Sequence, residues 1–225
     1  MTLMSVEGLT VAFDGRTVFK NLEFTLSQGD YLCILGENGS GKTTLMRCLI
    51  GNDVRHSGKI KYFGFTRKDI GYLPQRNESK SDFPASVYEV VMSGFAGKSF
   101  LGLYYTAQNR KKAYECMEML EISHLKKRAF KELSGGQQQR VLLCRALCAA
   151  EKIILLDEPV NGLDETAREE FYSIVRKLHA NGMTVIMISH DTERAVKDAN
   201  KVLYISNDSY FFGSPEELSG GAVNE

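Results

Sequence analysis

Tyr31-Leu32-Cys33-Ile34-Leu35 leads directly into Gly36-Glu37-Asn38-Gly39-Ser40-Gly41-Lys42-Thr43, and Thr44-Leu45-Met46-Arg47-Cys48-Leu49-Ile50 carries the chain on to Gly51. Five apolar residues bounded by glycine read as a compact strand, and the pattern from Lys42 to Ile50 reads as a helix that Gly51 stops. Between them the loop fits G-x-x-x-x-G-K-[ST], directly after a strand and directly before a helix. Glycines tolerate positive φ and let backbone N–H groups close on phosphate oxygens, while the helix directs its positive end at the same anion. The Lys42 ammonium is then a point charge for the β and γ phosphates of a nucleotide, and the Thr43 hydroxyl is a ligand for Mg²⁺. The expected nucleotide-binding run is Gly36, Glu37, Asn38, Gly39, Ser40, Gly41, Lys42, Thr43 and Thr44.

Outward from this centre, Leu3 to Ser27 alternates in two short runs separated by Asp14-Gly15, which predicts strand, turn and strand. Gly58 to Phe63 and Ile70 to Leu73 read as further strands. From Pro84 to Ala149 the period turns helical, with helices expected over Val87 to Met92, Asn109 to Leu120 and Gln137 to Ala149. Strands return at Ile153 to Leu156, Thr184 to Ile188 and near Val202 and Tyr210, alternating with helices at Glu165 to His179 and through Ala195. Such alternation predicts an α/β core with a parallel sheet, and the helical middle predicts an inserted subdomain. The expected division is a single domain, its core over about 1–75 and 150–225 and its helical subdomain over about 76–149.

Composition narrows the function. The 225 residues carry 28 Lys+Arg against 28 Asp+Glu, so no net field favours nucleic acid or acidic lipid, and phosphate recognition must be local. At 43% hydrophobic and 25% charged the chain falls in the globular class, long enough to bury roughly seven-tenths of its unfolded surface. Five cysteines (Cys33, Cys48, Cys116, Cys144, Cys148) lack CxxC spacing and sit among apolar residues, which predicts reduced thiols and a cytosolic setting. The opening MTLMSVEGLTVAF has no basic region followed by an apolar run and does not read as a signal peptide. The longest apolar stretches fall far short of the ~20 residues a membrane helix needs.

Two further motifs carry chemistry. Ile153-Ile154-Leu155-Leu156-Asp157-Glu158-Pro159 is a buried strand ending in two carboxylates, at the strand end where open α/β sheets bind ligands. Asp157 is expected to hold Mg²⁺. Glu158 is expected to orient or deprotonate the attacking water, a role worth about 10²–10⁴-fold. Leu133-Ser134-Gly135-Gly136-Gln137 opens a helix, so Ser134 can cap it and the glycines can bring backbone to an anion.

With these motifs in this order the chain resembles the ATP-binding cassette family. The resemblance implies a P-loop NTPase (RecA-like) core with an N-terminal antiparallel β subdomain and an inserted α-helical subdomain carrying the signature. It implies that Ser134, Gly135, Gly136 and Gln137 act in trans, on ATP held by the glycine loop of a second copy in a head-to-tail dimer. Gln75, in Tyr72-Leu73-Pro74-Gln75, resembles the family's glutamine that touches Mg²⁺ and water. Asn161-Gly162-Leu163-Asp164 resembles the D-loop that bridges subunits, His190 the switch histidine at the γ phosphate, and Phe13 the aromatic that stacks on adenine. One departure stands before the signature: Arg128-Ala129-Phe130-Lys131-Glu132 lacks the proline many members carry. Nothing substantial follows the last strands, so the regulatory domain of some sugar and methionine importers is not expected.

Phe83-Pro84-Ala85-Ser86-Val87-Tyr88-Glu89-Val90-Val91-Met92-Ser93-Gly94 and Phe211-Phe212-Gly213-Ser214-Pro215-Glu216-Glu217-Leu218 resemble the ATP subunits of bacterial zinc and manganese importers. That implies a peripheral ATPase on the cytoplasmic face of the membrane, held by an integral permease and served by an extracytoplasmic metal-binding protein, with zinc the expected cargo and manganese, iron or an iron chelate the alternatives. The contrasting reading is a cytosolic cassette ATPase with no transport partner; a nucleic-acid partner is not expected. Cys144 and Cys148 have the spacing of ligands on one helix face, but their apolar run reads as core. Phe95 to Tyr105 (FAGKSFLGLYY) is apolar and aromatic, either packing within the subdomain or lining a groove for a permease helix, with Phe100 and Tyr104 the residues to test.

Overall fold

The computed structural model describes residues 1–13, 16–52, 54–75, 84–98, 105–189, 192–206 and 209–219. The strand at the centre of the sequence argument, β3 (Tyr31–Gly36), follows an antiparallel pair, β1 (Thr2–Phe13) and β2 (Arg16–Ser27), and leads into α1 (Lys42–Ile50). Next come β4 (His56–Tyr62) and β5 (Ile70–Leu73), then α2 (Val87–Met92), α3 (Ala107–Met119) and α4 (Gly135–Ala149). The chain continues through β6 (Ile153–Asp157), α5 (Glu165–Ala180), β7 (Thr184–Ile188), α6 (Thr192–Asp198), β8 (Lys201–Ile205), β9 (Tyr210–Gly213) and α7 (Pro215–Ser219).

The main sheet has the order β5-β6-β7-β3-β8-β9, and the smaller one β2-β1-β4. β6 and β7 are buried at all five positions each, as strands covered on both faces require, which is why IILLD and TVIMI show no alternation. The expectation of a parallel sheet needs one correction: β5, β6, β7, β3 and β8 are parallel, but β9 runs antiparallel to β8. Only residues 206–209 join these two strands, and so short a link permits a hairpin but no crossover.

The main sheet separates two cores. One face packs with α2, α3, α4 and α5 through residues such as Met117, Val141, Leu147, Leu156 and Phe171. The opposite face packs with α1 and the antiparallel sheet through Leu9, Leu22, Leu45, Leu49 and Ile186. Because the five main strands are parallel, the ends of β3 and β6 emerge on the same edge with only β7 between them. The glycine loop and the two carboxylates therefore reach one place.

Candidate functional site

At the end of β3 the chain turns through Gly36, Glu37, Asn38, Gly39 and Ser40 to Gly41, which opens α1 at φ 93 with no side-chain cap. The first amides of α1, where Thr43 and Thr44 lie, thus have no side chain of their own chain closing them at the cap. Lys42 is buried and folds back over the loop, its Nζ donating to Gly36 O at 2.8 Å and Glu37 O at 2.7 Å. Burial lowers its pKa, against the opposing pull of the Glu158 and Asp157 charges. The buried Ser40 hydroxyl has no hydrogen-bond partner, an orphaned donor in the loop whose chemistry calls for an anion.

Across the edge, Asp157 is fully buried at the last position of β6. Thr43 Oγ1 donates to its Oδ1 at 3.3 Å, and Tyr72 Oη donates to its Oδ2 at 3.4 Å. Desolvation pushes the Asp157 carboxyl above its usual range, which the two hydroxyl donors partly oppose. A carboxylate and a hydroxyl facing each other are hard oxygen donors of the kind Mg²⁺ takes, so these residues fit the ion. Tyr72 was not a candidate in the sequence. It lies on the partner strand of β6, opposite Leu155 and two positions before Asp157, and only that register brings it to the carboxylate.

Glu158 departs from strand geometry, with φ 48, a left-handed conformation rare for a residue with a side chain. Its N–H donates to Ile188 O at 3.1 Å. Its carboxylate Oε2 accepts from Gln75 Nε2 at 2.7 Å and from Asn161 Nδ2 at 3.3 Å. Gln75 and Glu158, 83 residues apart in sequence, are thereby brought together.

Ser134 caps α4, accepting from Gln137 N at 3.4 Å while Gln137 Oε1 accepts from Ser134 N at 3.2 Å. Gly136 packs so closely on α5 that a Cβ there would stand 3.1 Å from that of Ala167. Asp164 caps α5, its Oδ1 accepting from Ala167 N at 2.8 Å. Two buried glutamines anchor the signature helix: Gln138 donates to Phe130 O at 3.2 Å and Gln139 donates to Pro159 O. Ser134, Gly135, Gly136 and Gln137 line a cavity of about 690 Å³ together with Gly162, Leu163 and Asp164. No residue of 36–44 lines it, so the signature and the glycine loop of one chain do not share a cavity.

Phe13 ends β1, its side chain outside what is described, and His190, Phe100 and Tyr104 lie outside the described residues. Phe95 is buried in the helical core, which removes it from any exposed groove. Cys144 and Cys148 are fully buried core residues, and with Cys116 of α3 they form a thiol cluster in which Cys144 is held protonated by its hydrogen bond to Cys116 and by burial. No group of three or more metal-ligating side chains suited to an ion occurs among the described residues.

A glycine loop at the end of a central parallel strand, facing a buried aspartate two strands away, defines a P-loop nucleotide-binding fold. The chain belongs to the ABC transporter family, whose sequence pattern matches residues 19–161, and it is an ATP-binding ATPase of that family. It is 32% identical over 220 residues to the manganese transport system ATP-binding protein MntB of Listeria monocytogenes, covering 95% of this chain and 91% of that one. It is 31% identical over 221 residues to the zinc import ATP-binding protein ZnuC of Anaplasma marginale, covering 98% and 86%. A solved nucleotide-free ATP-binding cassette from an ABC transporter superposes with a TM-score of 0.83 at 25% identity, covering 100% of this chain and 96% of the other.

Proposed function

We propose that this chain is the ATP-hydrolysing subunit of a divalent-metal importer, with zinc the first candidate for cargo and manganese or iron the alternatives. The observation that carries the hydrolytic part is the convergence of Thr43, Asp157, Gln75 and Glu158 on one sheet edge. In this reading Thr43, Asp157 and Gln75 hold Mg²⁺, which supplies charge neutralisation at the phosphates when bound. Lys42 exchanges its two carbonyl partners for phosphate oxygens, and Ser40 gains the acceptor partner it lacks. Glu158 orients or deprotonates water. Phe13 stacks on adenine, and His190 contacts the γ phosphate.

The separation of the signature cavity from residues 36–44 supports a composite site in which Ser134, Gly135, Gly136 and Gln137 complete the nucleotide pocket of a second copy, with Asp164 at the same face. Closing of that dimer on ATP is the mechanical step and hydrolysis resets it. The helical unit at about 76–149 moves with the permease, which holds the chain to the membrane's cytoplasmic face; no helix among the described residues is long and apolar enough to cross a membrane. Relatives named for manganese transport and zinc import support a metal cargo, delivered to the permease by an external binding protein.

Uptake of radioactive Zn²⁺, Mn²⁺ and Fe²⁺ in cells lacking this chain tests the proposal. Loss of one cation, restored by the intact chain and not by Lys42→Ala, is expected. Unchanged uptake of all three would sink the metal reading.

A further inference from the structure

The segment between the two carboxylates and α5 is short, and within it the Asn161 side chain turns back on Glu158. Asn161 follows Glu158 by three residues, and its N–H donates to Glu158 O at 3.2 Å, closing a turn. Its side-chain Nδ2 reaches back to Glu158 Oε2 at 3.3 Å, the oxygen that Gln75 also contacts at 2.7 Å. Glu158 is thus held at several points, among them its N–H on Ile188 O, its carbonyl on the Asn161 amide, and its carboxylate on two side-chain amides. Its φ of 48 is an arrangement that persists only when the surroundings over-determine it.

The two amide donors differ in what carries them. Gln75 lies two residues beyond β5 and leads into the stretch before α2, so its position follows that connection. Asn161 lies in the same tight turn as Glu158, so the pair moves as one unit. Asp164, three residues further on, caps α5 and fastens the far end of this turn to a helix.

We propose that Asn161 is a positioning residue for Glu158: its amide holds the carboxylate in the orientation needed to direct water, independently of Gln75. The inference rests on the reading of Glu158 as the group that acts on water. In this role Asn161 acts through Glu158, the residue its side-chain amide contacts. A side chain that fixes the base contributes to turnover and not to nucleotide capture, because the glycine loop and Lys42 lie on another strand end.

The test uses the full chain with Mg²⁺-ATP. In Asn161→Ala, kcat is expected to fall about tenfold with KM for ATP within about twofold, the pattern of a lost interaction realised only in turnover. Asn161→Asp, equal in shape but lacking the donor and adding a like charge, is expected to be slower still, whereas Asn161→Gln, which keeps an amide, is expected to recover part of the rate. In a Glu158→Gln background, Asn161→Ala should cause no further loss. Thermal melts accompany each variant, and Asn161→Asp carries the readout if truncation to alanine unfolds the turn. A wild-type kcat in both Asn161→Ala and Asn161→Asp would overturn the proposal, and so would an equal further loss in the Glu158→Gln background. If Glu158→Gln itself turned over at the wild-type rate, the reading of Glu158 would fall first; a slow Glu158→Gln beside an unaffected Asn161→Ala would remove only Asn161.

Discussion

Lys42 is a buried charge held by its own loop. Its ammonium has three protons to place, and two go to carbonyls of its own loop. Desolvation already works against its charge, a cost that the phosphate proposed to bind there would offset by direct attraction. The cysteines show the opposite use of burial. The Cys33 thiol, buried against β8, is pushed up to about 12 from an ordinary 9.0, and Cys48 to about 11, in both cases chiefly by desolvation. The folded thiols keep their protons where unfolded ones lose them, so their contribution to stability is complete below pH 9.0 and declines as pH rises from there toward 11. Melting temperature measured across that window should fall, and Cys33→Ala should fall less steeply. The glycine loop with Lys42 and the Asp157-Glu158 pair stood out in the sequence by their spacing, and strand order brings the two runs to one sheet edge. The contacts of Tyr72 with Asp157 and of Asn161 with Glu158 did not stand out, since nothing in their own neighbourhoods says which carboxylate they meet.

Unlike α1, the helices α2, α3 and α4 begin where side chains close their first turns. Ser86 with Glu89, Thr106 with Asn109 and Ser134 with Gln137 form capping boxes, and each matches a helix start. The helix expected from Asn109 begins two residues earlier, at Ala107, because Asn109 is itself the third residue of a capped turn. α4 is the element on which the helical unit converges, touching α2, α3, β5 and α5. At its closest approach a Cβ added to Gly94 would stand 2.2 Å from Arg145 O and 3.0 Å from the Cys148 Cβ. Backbone cannot yield as a flexible side chain does, so Gly94→Ala is expected to destabilise the fold by about 1–3 kcal/mol in chemical denaturation. A second tie runs from α4 to α5, where Arg140 meets Glu170 at 2.6 Å, and it also reaches Glu121 at 3.4 Å. Strand identity was legible throughout. Strand direction at the edge was not, because alternation looks the same in β9 whether it joins the sheet parallel or antiparallel.

At the scale of the whole molecule, the proposed composite site requires two copies of the chain to meet head to tail. Mixing Lys42→Ala chains with Ser134→Arg chains discriminates this arrangement. Each variant alone should be inactive, yet their heterodimer holds one site with an intact glycine loop and an intact signature, so the mixture should regain part of the ATPase activity. A mixture as inactive as its components would argue against composite sites. The sequence by itself determined the nucleotide loop, the carboxylate pair, the signature and the strand-helix alternation, because each depends on residues close together in the chain whose spacing carries the chemistry. Tertiary structure alone decided that Thr43 meets Asp157, that Gln75 and Asn161 share one oxygen of Glu158, and that the signature faces a cavity apart from residues 36–44. The first two pairings across the sheet edge, Thr43 with Asp157 and Gln75 with Glu158, depend on strand order and register, which bring residues from distant segments together and leave no trace in local sequence.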